Sequence, residues 1–141
     1  SVMEQRETRI AGLHFSDARP VVGEEIVIAG YLQWYDRKGK MWVPVEHKKV
    51  TLYVDNVKVA ESVTDHSGRF EFRQSFSFGE HSIDAKFEGS PGLEASQASK
   101  KIKVITAQQR EGIRRLVRNV VIAALVLLGA FIVVSVLISS F

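Results

Sequence analysis

The chain has 141 residues, about one domain's worth, with 45% hydrophobic and 25% charged residues, the balance of an ordinary folded protein. It has no cysteine, which excludes a disulfide framework, a thiolate metal site and a cysteine nucleophile. The net charge of +3 is concentrated: residues 1–106 are charge-balanced, and the excess comes from Arg110, Arg114, Arg115 and Arg118 against Glu111, so the folded part lacks the basic footprint of a nucleic-acid binder.

Residues 1–7 carry no apolar core of the kind a signal peptide needs and are expected to be extended or disordered. From residue 8 to 106 the apolar residues recur at spacing two, which predicts strands. Leu13 and Phe15 share a face in 9–15; Ile26, Ile28 and Leu32 share one in 25–34. Val50, Leu52 and Val54 do so in 49–54, and Val57, Val59 and Val63 in 57–63. In 69–78, Phe70, Phe72, Phe76 and Phe78 occupy even positions, with Arg69, Glu71, Arg73, Ser75 and Ser77 between them. Ile83, Ala85 and Phe87 line 81–88, and Ile102 and Val104 line 99–105.

The turns carry their own chemistry. Asp55-Asn56 joins two strands directly and suits a two-residue hairpin with positive φ. Asp65-His66-Ser67-Gly68 reads as a tight turn in which Asp bonds backbone amides and Gly takes positive φ. Seven short strands without an intervening helix predict an all-β domain, a seven-stranded antiparallel β-sandwich, with a small closed barrel as the alternative.

The remainder changes character. Residues 107–119 form a basic juxtamembrane helix or linker, and residues 120–141 contain neither a charge nor a proline. As a helix that last stretch reaches ~33 Å, enough for a hydrocarbon core of ~30 Å, so it is expected to be a single C-terminal transmembrane α-helix. Ser135, Ser139 and Ser140 can bond back to their own helix. Arg114, Arg115 and Arg118, with Arg110, would flank the bilayer and meet anionic headgroups. Ala123, Ala124, Gly129 and Ala130 permit close helix packing but form no Gly-x-x-x-Gly pattern.

Four segments carry a family resemblance: Trp42-Val43-Pro44-Val45; Val50-Thr51-Leu52-Tyr53-Val54-Asp55; Thr64-Asp65-His66-Ser67-Gly68-Arg69-Phe70-Glu71-Phe72; and the stretch from Gly79 to Ser90. Together they resemble prokaryotic Ig-like repeats and the carboxypeptidase regulatory-like, or transthyretin-like, domains. There a proline-valine leads into a strand, a Thr-Asp-x-x-Gly-x-Phe hairpin follows, and a Gly-x-His/Tyr strand closes the motif. The resemblance implies an Ig-like β-sandwich working as an extracytoplasmic spacer, adhesive module or accessory domain, here with a C-terminal membrane anchor.

Catalytic motifs do not occur: there is no Gly-x-Ser-x-Gly elbow, phosphate loop or dinucleotide fingerprint. His14, His47, His66 and His81 stand at no metal-ligand spacing and read as structural. Asp55, Asp65 and Ser67 read as turn caps rather than calcium ligands. The expectation is a non-enzymatic protein without cofactor, metal or small-molecule substrate. The most suggestive surface is Tyr31, Trp34, Tyr35 and Trp42 around the basic tip Arg37 and Lys38, a combination found at binding surfaces and equally able to cap a sheet.

Two signals on sidedness oppose one another. The arginines before the apolar stretch favour a cytoplasmic body under the positive-inside rule, whereas the resemblance places the body outside, which is the expectation taken. The expected partners are the lipid bilayer and another protein. The reading is a surface-displayed module with structural, adhesive or interaction roles; the alternative is an accessory, tail-anchored subunit bracing a membrane complex.

Overall fold

The computed structural model describes residues 4–140 and divides into two bodies, one ending at Ile105 and the other beginning at Thr106. The first holds eight strands: β1 (Thr8–Phe15), β2 (Ile26–Asp36), β3 (Met41–Pro44), β4 (Lys49–Val54), β5 (Val57–Val63), β6 (Arg69–Gln74), β7 (Gly79–Phe87) and β8 (Ser96–Val104). All pairings between them are antiparallel, in two four-stranded sheets. One contains β1, β2, β3 and β6; the other runs β5-β4-β7-β8.

The count is eight rather than the expected seven, and the added strand is β3. Four residues ending in proline carry no alternation of their own; what makes them a strand is the length of β2. On one edge β2 pairs with β1; on the other, its residues 26–31 pair with β6, and Gln33 to Asp36 pair with β3. Leu32 is the handover point: its N–H donates to the Gly68 carbonyl (2.8 Å) and its carbonyl accepts from the Val45 amide (2.9 Å). The fit is tight enough that a Cβ on Gly68, whose φ is +76°, would sit 2.5 Å from the Leu32 carbonyl oxygen.

The inward faces meet in one core cluster that includes Ile28, Leu32, Phe70 and Phe72 from the first sheet and Val50, Leu52, Ile83 and Ile102 from the second. Most expected apolar faces are buried, with two corrections. Val57 and Val63 are 62% and 61% exposed, and Ala60 packs inward in their place. A register shift between Leu52 and Tyr53 sets Ala60 opposite Leu52 and so turns Val63 to the other face, whereas Val57, paired with Val54 before the shift, is exposed at the hairpin end. Likewise β6 ends at Gln74; Phe76 stays in the core while Phe78 is exposed. Residues 75–78 lie outside both strands, and β7 begins at Gly79 with a φ of +112°, so Phe78 is not held to the alternation of β6.

Both flanks of the body carry cross-links between the sheets. Thr8 Oγ1 donates to the Glu94 carbonyl (2.7 Å) and lies 2.8 Å from Ser96 Oγ, while the Glu71 amide donates to Ser62 Oγ (3.3 Å). Arg6 bridges to Leu93, and the Tyr35 amide donates to the Glu7 carbonyl, so the chain is held from Arg6 onward; residues 1–3 lie outside the described residues. The Asp55-Asn56 turn has φ of +50° and +66°, the positive pair a type I′ hairpin requires.

The second body is one helix, α1 (Ala107–Ser139), capped by Thr106 and Gln109, which exchange hydrogen bonds in a capping box. Residues 107–119 are thus helical and continuous with the uncharged stretch; Phe141 lies outside the described residues. The helix has 33 residues, a mean hydropathy of 3.2 in its most apolar window and no buried residue; it is long and apolar enough to cross a membrane. Its serines bond back within it, Ser135 Oγ to the Phe131 carbonyl and Ser139 Oγ to the Val136 carbonyl, each at 2.9 Å.

Candidate functional site

The aromatic cluster singled out in the sequence lies on the β2–β3 hairpin. Asp36 closes the tip, its Oδ1 accepting from the Lys38 amide (3.0 Å), with Lys40 at φ +52°. Arg37 and Lys38 are exposed at that tip, and Arg37 lies 3.9 Å from Glu4.

Strand parity divides the aromatics between two faces. Trp34 has the parity of Ile28 and Leu32 and packs on the edge of the core. Arg6 covers its ring at 4.2 Å, and together with Val45, Lys48 and Leu93 they line a shallow cleft of about 550 Å³. Tyr31, Tyr35 and Trp42 take the outward face, all half-buried. Tyr35 and Trp42 are a cross-strand pair with ring centroids 5.1 Å apart. Arg9, from β1 across β2, places its guanidinium 4.1 Å from the Trp42 centroid and donates from Nε to Gln33 Oε1 (2.8 Å).

The same face continues onto β6. Tyr31 pairs with Arg69, whose guanidinium donates to Glu71 at 2.7 Å; Arg73 reaches Glu71 at 3.1 Å. The hydrogen bond from Arg69 holds the Glu71 carboxyl below its usual range. The outward face of the first sheet is therefore a band of arginines, aromatic rings and one acidic group. The sequence reading missed Arg9 and Arg6; the signal for Arg9 was its register opposite Gln33, visible only once β1 and β2 are paired.

The expected membrane flank lies on the first three turns of α1. Arg110, Arg114 and Arg118 recur every four residues along one side, with Arg115 3.4 Å from Glu111. Ile113, Leu116 and Val117 are exposed on the same turns.

The four histidines differ. His14 Nδ1 lies 2.8 Å from the Gly12 carbonyl. His81 faces acceptors with both ring nitrogens: Nδ1 is 2.6 Å from Asp55 Oδ2, and Nε2 is 2.9 Å from the Ser77 carbonyl. This arrangement, with Ser77 Oγ also 3.3 Å from Nε2, favours the protonated ring. The Asp55 carboxylate raises the His81 pKa, and His81 with the Ser82 amide lowers that of Asp55. His47 and His66, nineteen positions apart in the sequence, come together beside Glu46.

No family model matches the chain. An uncharacterized protein of Archaeoglobus fulgidus is 34% identical over 128 residues, a match covering 90% of this chain and 88% of that one. The chain belongs to the same family as that archaeal protein, and a match of that extent takes in both the β-body and part of the helix.

Proposed function

We propose that the protein is a non-enzymatic, single-pass membrane module whose Ig-like β-sandwich is displayed on the outer side of the cell membrane and binds a protein partner. The strand order supports the Ig-like reading. The first, second and sixth strands share a sheet, and the fourth, seventh and eighth share the other, with the fifth added beside the fourth, as in Ig domains that extend the second sheet. The helix supports the anchor: no side chain of it is buried, and its apolar part matches a bilayer's thickness.

The observation that carries the binding role is the Arg9–Trp42–Tyr35 ladder. Its rings lie on the outward face, away from the core, and remain partly exposed. Aromatic and arginine side chains are the groups most enriched where proteins bury surface against one another. Sandwich modules of this kind need no cofactor for such a role.

The exposed apolar side of the first helical turns, Ile113, Leu116 and Val117, favours a second reading, an accessory subunit whose helix packs against other membrane helices. Purification from native membranes in mild detergent separates the two. A stoichiometric partner lost in the Tyr35→Ala/Trp42→Ala variant and retained in Lys101→Ala supports the hairpin surface. Partners retained in both, but lost when Leu116 and Val117 are replaced by Ser, support the helix. Protease added to intact cells tests sidedness: digestion of the β-body is the expected result, and full protection would place it inside.

A further inference from the structure

We propose that Glu46, His47 and His66 form a binding site for one zinc-type divalent cation, a property independent of the partner-binding surface. The three residues come from two loops, 45–48 before β4 and 64–68 after β5, so no sequence spacing announces them. The β4–β5 ladder brings the loops together. Its last rung, Lys49 opposite Val63, is extended by the Thr64 amide donating to the Lys48 carbonyl (2.9 Å) and the His47 amide donating to the Thr64 carbonyl (3.1 Å). Thr64 Oγ1 also accepts from the Lys48 amide (3.0 Å), and Thr64 is only 2% exposed.

Each loop is independently fixed. Buried Val45, next to Glu46, is tied through its amide to Leu32. In the other loop the Asp65 carboxylate accepts from the Ser67 amide (2.9 Å), the Ser67 hydroxyl (2.7 Å) and the Arg69 amide (3.0 Å). Asp65 is thereby committed to holding the turn that presents His66, which leaves Glu46 as the carboxylate of the set.

One donor atom from each of the three side chains lies within 4.8 Å of the others; His66 Nδ1 is 3.8 Å from Glu46 Oε1, and the two imidazole rings meet edge to face at 5.7 Å. Tetrahedral zinc holds nitrogen and oxygen donors at about 2.0–2.2 Å, which sets donor atoms roughly 3.4 Å apart. The remaining closure is about an ångström of side-chain rotation, and all three side chains are exposed. Two imidazoles and one carboxylate form a donor set suited to zinc and its neighbours; magnesium and calcium take oxygen ligands. Three protein ligands leave a fourth position for water or a partner's side chain. The bound ion would clamp the β3–β4 loop to the β5–β6 turn.

Titration of the untagged full-length protein in detergent micelles with zinc chloride, followed calorimetrically, tests the site. One ion per chain is expected, with no uptake of magnesium. Glu46→Gln, His47→Asn and His66→Gln should each weaken binding at least about tenfold, since even outer-shell changes at metal sites cost that much. Asparagine is chosen at residue 47 because it tolerates the backbone φ of +54° there. His14→Gln should bind like the wild type, and zinc should raise the thermal midpoint of the wild type but not of the His47→Asn/His66→Gln double variant. Absence of saturable uptake, or uptake undiminished in that double variant, overturns the proposal. So does half an ion per chain with metal-dependent dimerisation, which would assign the ligands to two molecules.

Discussion

The β-body and the helix treat the same residue types in opposite ways. Up to Ile105, most Ile, Leu, Val and Phe side chains are withdrawn into one cluster, and Ile28, Leu32, Val50, Leu52 and Ile83 expose none of their surface, with Val57, Val63 and Phe78 among the exceptions. From Thr106 onward the same residues are uncovered on every side of α1. Each arrangement is stable only in its own solvent. The body buries apolar surface against itself because water surrounds it, and it satisfies backbone groups by pairing strands. The helix satisfies its backbone within one segment and leaves its apolar side chains uncovered, an arrangement suited to a medium as apolar as they are. The proposed anchor thus gives one chain two regions suited to different solvents, with the charge of +3 at the join.

The comparison breaks most visibly if the helix is removed. A chain ending at Gln109 should leave the membrane fraction completely and remain folded, whereas the full chain should sediment with vesicles; flotation on a density gradient measures both. Next in size are truncations inside each region. Leu52→Ala should cost the body about 3 kcal/mol in urea unfolding, because it removes buried atoms and leaves a cavity. Leu128→Ala, which removes an equal volume from α1, should move the same transition by less than about 0.5 kcal/mol. Equal effects would mean that the helix packs as a core element.

A smaller effect is expected at the β2 handover. Gly68→Ala forces a side chain into a positive-φ position against the Leu32 carbonyl and should cost more than about 1 kcal/mol, again read from urea midpoints. The smallest is the pH response of the His81–Asp55 pair. The folded-state pKa of His81 lies above its ordinary value of 6.5, so its stabilisation is complete below about that pH and fades as pH rises through the folded value. Asp55 is shifted down from 3.8, so its contribution is present above that pH and fades as pH falls through the lower folded value. Urea midpoints should therefore decline as pH rises above 6.5, and the decline should be reduced in Asp55→Asn.

Much of the architecture was legible where alternation and burial coincide, as at Phe70 and Phe72, at Ile83, Ala85 and Phe87, and in the uncharged stretch of α1. The losses have physical reasons. Strand β3 exists because β2 outruns β6, a tertiary circumstance that a four-residue window does not contain. Val63 faces outward because a register shift in the β4–β5 pair reversed the side that alternation had assigned, and Val57 is exposed where the hairpin ends. Trp34 parted from Tyr35 and Trp42 by parity alone, which the sequence did hold. Glu46, His47 and His66 were invisible because their meeting depends on a rung of hydrogen bonds beyond the last paired residues of a hairpin.

The double duty of β2 has a practical corollary for anyone engineering this molecule. The hairpin tip at 37–40 is exposed, closed by Asp36 and paired at its surface with Glu4, so a reporter peptide could be spliced there with little disturbance to the core. The segments entering and leaving Leu32 offer no such tolerance. An extra residue between Pro44 and Lys49 would unhook Val45 from its carbonyl and shift the start of β4 together with both loops beside it.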